Sequence, residues 1–124
     1  MAEILLIEDM AGVRRAIGSM LKRAGHNVTP AESGGEGVRQ LKERRFDLVV
    51  TDMLMPDIDG TEILYHVCEM PERPPVIAIS GGGAGVSAEA ALRAARYKAD
   101  AFLQKPFDGA DLIAAIDKLL SKSA

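Results

Sequence analysis

The chain has 124 residues, 48% of them apolar and 27% charged, with a formal net charge of −3 and a single cysteine, Cys68. That length fits one domain, residues 1–124, able to bury roughly two-thirds of its unfolded surface. The slightly acidic balance and the absence of a long basic block disfavour direct nucleic-acid binding, one cysteine excludes an internal disulfide, and no apolar run reaches membrane-spanning length. The N-terminus has neither a basic start nor the long apolar stretch of a signal peptide, so a soluble cytoplasmic protein is expected.

Ile4-Leu5-Leu6-Ile7 is a continuous apolar run ending at Glu8-Asp9, the pattern of a strand buried on both faces. Met10, Val13, Ile17, Met20 and Leu21 recur at helical spacing, and Gly25 ends that helix. Asn27-Val28-Thr29 reads as a short strand cut by Pro30, and therefore as an edge strand. Ser33 and Glu36 form a capping-box pattern for a second helix, with Val38 and Leu41 as its apolar stripe and Gly34, Gly35 and Gly37 loosening its first turn.

Asp47 to Thr51 is a third strand that delivers Asp52 to its carboxyl end, followed by the loop Met53-Leu54-Met55-Pro56-Asp57-Ile58-Asp59-Gly60. A third helix starts near Thr61 and carries Ile63, Leu64, Val67 and Cys68 on one face, Cys68 as a small core residue. Pro71, Pro74 and Pro75 lead into a fourth strand, Val76-Ile77-Ala78-Ile79, ending at Ser80. Residues 86–97 are Ala-rich and helix-compatible. Ala101 to Gln104 forms a fifth strand that ends at Lys105-Pro106. Asp108 caps a last helix, with Asp111 at the positive end of its dipole and Leu112, Ile113, Ile116, Leu119 and Leu120 facing the core.

Strands alternating with helices across short loops predict an α/β fold, a doubly wound parallel sheet with helices on both faces. All strand ends then share one edge, where open α/β sheets bind ligands. Glu8, Asp9, Asp52, Ser80 and Lys105 arrive there together. Clustered carboxylates repel, and hydrated Mg²⁺ offsets that repulsion through one or two of them while leaving positions for phosphate oxygens. A lysine and a hydroxyl are the donors such oxygens need. The set fits phosphoryl transfer to a carboxylate nucleophile. Singly, each residue has a plainer reading: Glu8-Asp9 as a helix cap, Asp52 and Ser80 as turn residues, Lys105 as a surface charge. Their joint placement on separate strand ends separates the two readings. His26 and His66 fall outside the set.

With Glu8-Asp9 after the first strand, Asp52 with Met55-Pro56 and Gly60, Ser80 after the fourth strand and Lys105-Pro106-Phe107 after the fifth, the sequence resembles the receiver domains of two-component response regulators, the CheY-like family. The resemblance spans essentially the whole chain. It implies a flavodoxin-like (βα)5 fold with five strands in the order 2-1-3-4-5. It implies that Asp52 accepts a phosphoryl group from a histidine kinase or histidine phosphotransfer protein. Glu8, Asp9, Asp52 and the backbone carbonyl of Leu54 would hold Mg²⁺. Lys105 would pair with one phosphate oxygen and Ser80 would swing to another, with Phe102 as the aromatic switch residue and the Lys105–Pro106 peptide cis. The two-state element would be the face of the fourth expected helix, fifth strand and last helix, read by an unknown downstream protein. No metabolite is turned over, only the domain's own phosphorylation and slow autodephosphorylation, which the bulk of Leu54 is expected to slow relative to Leu54→Asn.

The sequence departs from the family pattern in two places. The segment from Ser80 to Lys105 is slightly long and opens with Gly81-Gly82-Gly83-Ala84-Gly85, whose permissive backbone predicts a loose loop. Lys98 stands where many relatives have Gly, so the turn into the fifth strand is expected to differ. Arg93, Arg96, Asp100 and Lys118 give the signalling face a mixed charge compatible with solvation or contact, and a monomer or weak dimer is expected without the sequence deciding between them. No effector segment is expected within the sequence after the last helix, and a free-standing regulator and a receiver from a larger regulator or hybrid kinase are both open. A Mg²⁺-dependent aspartyl-phosphate phosphohydrolase would want a second acid where Leu54 stands. An FMN binder would want a phosphate-cradling loop in place of Glu8-Asp9 and aromatic walls. A receiver-like binding module independent of phosphate would not need all five site positions filled.

Overall fold

The computed structural model describes residues 2–53, 60–81 and 98–123. In chain order its elements are β1 (Glu3–Ile7), α1 (Ala11–Arg23), β2 (Asn27–Ala31), α2 (Gly34–Glu43), β3 (Leu48–Asp52), α3 (Gly60–Cys68), β4 (Val76–Ser80), β5 (Ala101–Gln104) and α4 (Gly109–Ser123). The five strands form one sheet in the order β2-β1-β3-β4-β5, and every neighbouring pair is parallel. This is the doubly wound, flavodoxin-like arrangement. The expected helix over residues 86–97, the glycines from 82 to 85, and Leu54 with Met55 and Pro56 lie outside the described residues.

The central strands are continuous apolar runs because both faces of the sheet are covered. Leu5, Ile7, Val49, Val76 and Ala78 pack under Val38 and Leu41 of α2 and Ile63, Leu64 and Val67 of α3. Ile4, Leu6, Leu48, Val50, Ile77 and Ile79 pack under Ile17 and Leu21 of α1 and Leu112 and Ile116 of α4. Alternate residues of one strand therefore feed opposite layers, and each fully buried Leu or Ile contributes about 1.5–3 kcal/mol.

Helix ends follow local chemistry. Gly25 adopts φ +92°, and α1 closes with a paired cap in which Gly25 N–H donates to the Lys22 carbonyl and His26 N–H to the Leu21 carbonyl. Ser33 Oγ accepts from Glu36 N–H at 3.2 Å, one half of the capping box. The other half is displaced by one residue, since the Glu36 carboxylate accepts from the Glu32 N–H at 3.4 Å. Asp108 precedes α4, and its carbonyl accepts from the N–H groups of Asp111 and Leu112.

Four local expectations are corrected. Pro30 does not end β2, which runs on to Ala31 with Pro30 opposite Leu6. The Asn27 N–H donates inward to the Ala2 carbonyl, so period two turns the nitrogens of Val28 and Pro30 away from β1. At the sheet edge the missing donor costs no ladder bond. Cys68 is exposed, because it lies on the flank of the α3 stripe, roughly 90° from the centre of Ile63, Leu64 and Val67 at about 100° per residue. Met10 is 58% exposed, because it is the extended residue before α1 and is out of the helical register that Val13 and Ile17 share. Lys98 takes φ 65°, so the turn into β5 keeps a glycine-like backbone without glycine.

Candidate phosphoacceptor site

Parallel register brings the strand ends level. Ile7 pairs with both Ala31 and Thr51, Asp52 lies beside Ile79, and Ser80 lies beside Gln104. Backbone bonds continue past the ladder and fix the site residues. Met53 N–H donates to the Ile79 carbonyl at 2.8 Å, and Lys105 N–H donates to the Ser80 carbonyl at 2.7 Å. Glu8 N–H donates to the Ala31 carbonyl at 3.1 Å. The Lys105–Pro106 peptide is cis.

Glu8, Asp9 and Asp52 each place a carboxylate oxygen within 4.8 Å of the others. Glu8 is fully buried, Asp52 is 4% exposed, and Asp9 is half-buried. Lys105 crosses the sheet edge to meet them. Its Nζ donates to Glu8 Oε1 at 2.5 Å and to Asp52 Oδ2 at 3.0 Å. The second oxygen of Glu8 accepts from the Met10 N–H at 3.3 Å. Ser80 is buried, and its hydroxyl donates to the Gly81 carbonyl at 3.2 Å.

Burial raises the pKa of Glu8 from its ordinary 4.5 to about 7; the Lys105 hydrogen bond works against this and the nearby Asp52 works with it. Burial also opposes the charge on Lys105, but hydrogen bonds and charge from Glu8 and Asp52 outweigh it and hold the ammonium above its ordinary value. The site is thus acid-rich, partly desolvated and bridged by one cation. Its donor set is all oxygen and anionic, which fits a hard divalent ion such as Mg²⁺.

Gly60 lets the backbone close around these groups. A Cβ on Gly60 would lie 2.6 Å from Met53 Cα and 2.7 Å from the Asp52 carbonyl oxygen. A Cβ on Gly81 would make only ordinary contact with Lys105, 3.4 Å from its Cδ. Phe102 stands opposite Ala78 and packs, partly buried, against the layer under α2 and α3. The structure therefore brings Glu8, Asp9, Asp52 and Lys105 together, with Ser80 at the end of the next strand.

Arg14 is not legible in the sequence as a site residue. It lies in the early part of α1, and its guanidinium donates to the carbonyls of Glu8 and Asp9. The one signal in the sequence is its sign, because a cation near a helix N-terminus opposes the dipole and needs a local reason.

A profile of the response regulator receiver domain matches residues 4–117. The chain belongs to the response regulator receiver family. It is 35% identical to the transcriptional regulatory protein GlrR of Escherichia coli (strain K12) over 99% of its own length and 27% of that regulator's. It is 34% identical to the transcriptional regulatory protein AfsQ1 of Streptomyces coelicolor over 98% of its length and 52% of that protein's. The chain thus spans about a quarter to a half of the length of these curated relatives. Among solved structures it superposes on a response regulator receiver domain protein from Clostridium thermocellum with a TM-score of 0.90 at 31% identity, covering 99% of this chain and 97% of that one. A CheY-like receiver from Methanospirillum hungatei JF-1 gives a TM-score of 0.88 at 26% identity, covering 98% and 95% of the two chains. Among the described residues of this receiver, no helix is long and apolar enough to cross a membrane.

Proposed function

We propose that this receiver is a Mg²⁺-dependent phosphoacceptor in which Asp52 takes a phosphoryl group from a histidine kinase or histidine phosphotransfer protein. The observation that carries the reading is the position of Asp52. Its carboxylate sits in the three-acid cluster, with Lys105 Nζ 3.0 Å from Oδ2. In the transfer, an Asp52 oxygen forms a bond to phosphorus as the P–N bond of the phosphohistidine breaks, and the imidazole nitrogen keeps the electron pair and takes a proton. In autodephosphorylation, water attacks phosphorus, the P–O bond to Asp52 breaks, and orthophosphate leaves. The domain turns over no other substrate.

Glu8, Asp9 and Asp52 would hold the Mg²⁺, with the Leu54 carbonyl completing the set. The ion would neutralise the acids and the charge on the transferring oxygens. Lys105 already pairs with two of the carboxylates and is placed to keep one phosphoryl oxygen paired after transfer. Ser80 would exchange its Gly81 carbonyl bond for another phosphoryl oxygen, and Phe102 would turn inward as it moves. A phosphoryl group adds roughly −1.5 to −2 charge and three acceptors, enough to bias a two-state face at β5, α4 and residues 86–97. A downstream protein would read that face in the cytoplasm, with the chain acting as one receiver unit, as a monomer or weak dimer.

The test is phosphorylation with phosphoramidate and Mg²⁺, then borohydride reduction and peptide mapping. Reduction marks an acyl phosphate by converting its carbonyl to an alcohol. The mark is expected at Asp52. A mark at Asp9 or Glu8, or none, overturns the assignment.

A further inference from the structure

We propose that Arg14 is a positioning residue that clamps the backbone of Glu8 and Asp9, so that their carboxylates stay in place for a divalent cation. The proposal deepens the phosphoacceptor reading and rests on it for the ion's role.

The loop from β1 into α1 carries two of the three clustered acids. The side-chain cap that usually fixes entry into a helix is missing here. Met10 occupies the N-cap of α1 and makes no side-chain cap bond, and no acid lies in the first turn. Arg14 supplies the hold from inside the helix. Its Nη1 donates to the Glu8 carbonyl at 2.9 Å and the Asp9 carbonyl at 3.3 Å. Its Nη2 lies 3.7 Å from Glu32 Oε2, and the side chain is 18% exposed. The Glu8 backbone is therefore held in both of its peptide groups, by Arg14 at its carbonyl and by Ala31 at its N–H.

The chemistry calls for arginine. One terminal nitrogen reaches two successive carbonyls while the other faces Glu32, a planar fork that a lysine ammonium cannot copy. The two carbonyls point their negative ends at a cation, which offsets the unfavourable placement of Arg14 near the positive end of α1. The Glu32 pair is a minor part, since Glu32 is 73% exposed.

The test is calorimetric titration of Mg²⁺ into the intact chain and into Arg14→Ala, Arg14→Lys, Glu32→Gln and Asp9→Asn, with thermal midpoints in EDTA as a separate readout. Arg14→Ala is expected to weaken Mg²⁺ binding by about tenfold, the lower end for loss of a partner that orients a ligand. Arg14→Lys should recover less than half of that loss on a logarithmic scale. Glu32→Gln should stay within about twofold of wild type, and Asp9→Asn should bind least. Unchanged affinity in Arg14→Ala overturns the clamp, as does a change confined to the thermal midpoint. Full rescue by Arg14→Lys also overturns it, because charge alone would then suffice. A wild-type chain that binds no Mg²⁺ overturns it too. Failure of Asp52 phosphorylation with the affinity pattern intact would leave the clamp standing and remove only the phosphoacceptor reading.

Discussion

Lys105 hydrogen-bonds Glu8 at 2.5 Å across the carboxyl edge of the sheet, joining residues 97 positions apart in the chain. The same ammonium reaches Asp52, so one cation satisfies two buried acids. Removing it leaves them without that charge. Lys105→Ala should therefore destabilise the metal-free protein by on the order of 2 kcal/mol at pH 8, less than a fully enclosed pair loses because the lysine retains some solvent contact. The loss should shrink at pH 5, where Glu8 is protonated. Denaturant midpoints at the two pH values check this.

Glu8 gives a pH dependence of known sign. Its pKa stands at about 7 in the folded protein against an ordinary 4.5. The folded state binds this proton more tightly than the unfolded state does. The contribution to stability is complete below about pH 4.5 and is lost as pH rises through about 7. In EDTA, Glu8→Gln should gain stability relative to wild type between pH 5 and pH 8, by on the order of 3 kcal/mol. Lys105, held above its ordinary pKa, loses its contribution only in alkali and does not enter this window. A wild-type-minus-variant difference that is flat across the range would show that Glu8 is ionised throughout.

Lys98 holds a left-handed backbone, φ 65°, at an exposed turn. A side chain there costs roughly 1–2 kcal/mol, partly balanced by glycine's greater freedom when unfolded. Lys98→Gly should stabilise the domain by about 0.5–1 kcal/mol. A thermal midpoint equal to or below wild type would contradict this.

Gly37 and Gly60 are close-approach positions of different severity. A Cβ on Gly37 would lie 2.4 Å from Ile7 Cδ1 and 2.8 Å from Ile7 Cγ1, both side-chain atoms. One on Gly60 would meet Met53 Cα and the Asp52 carbonyl, which are backbone. Gly37→Ala should cost about 1–2 kcal/mol and be partly rescued by Ile7→Val. Gly60→Ala should cost about 3 kcal/mol or more, have no comparable rescue, and also slow phosphorylation by displacing Asp52. Chemical denaturation of the single and double variants separates the cases.

The sheet is legible in the sequence because its signal is local. Ile4 to Ile7, Leu48 to Val50 and Val76 to Ile79 are apolar without interruption, which happens when both faces are covered. The core of the site is legible for a related reason. Parallel strands all finish at one edge of the sheet, so Glu8, Asp9, Asp52 and Lys105, each at or just past a strand end, have to converge. The hidden features depend on contacts between distant segments. Gly37 reads as a weak helix residue until Ile7 is seen against it. Gly60 reads as a loop terminator until Met53 lies beside it. Arg14 reads as one more surface cation until its guanidinium is found on two carbonyls. Cys68 and Met10 depart from their expected burial because the apolar stripe of α3 stops one residue earlier, and α1 starts one residue later, than the spacing predicts.

Phosphorylation of Asp52 is most directly tested by intact mass after incubation with a small-molecule phosphodonor and Mg²⁺, beside Asp52→Asn. The expected result is one phosphoryl adduct on the wild-type chain, labile to hydroxylamine, dependent on Mg²⁺ and absent from the variant. No adduct at any Mg²⁺ concentration, or the same labile adduct on Asp52→Asn, would contradict it and leave a receiver fold that works without phosphate on this residue.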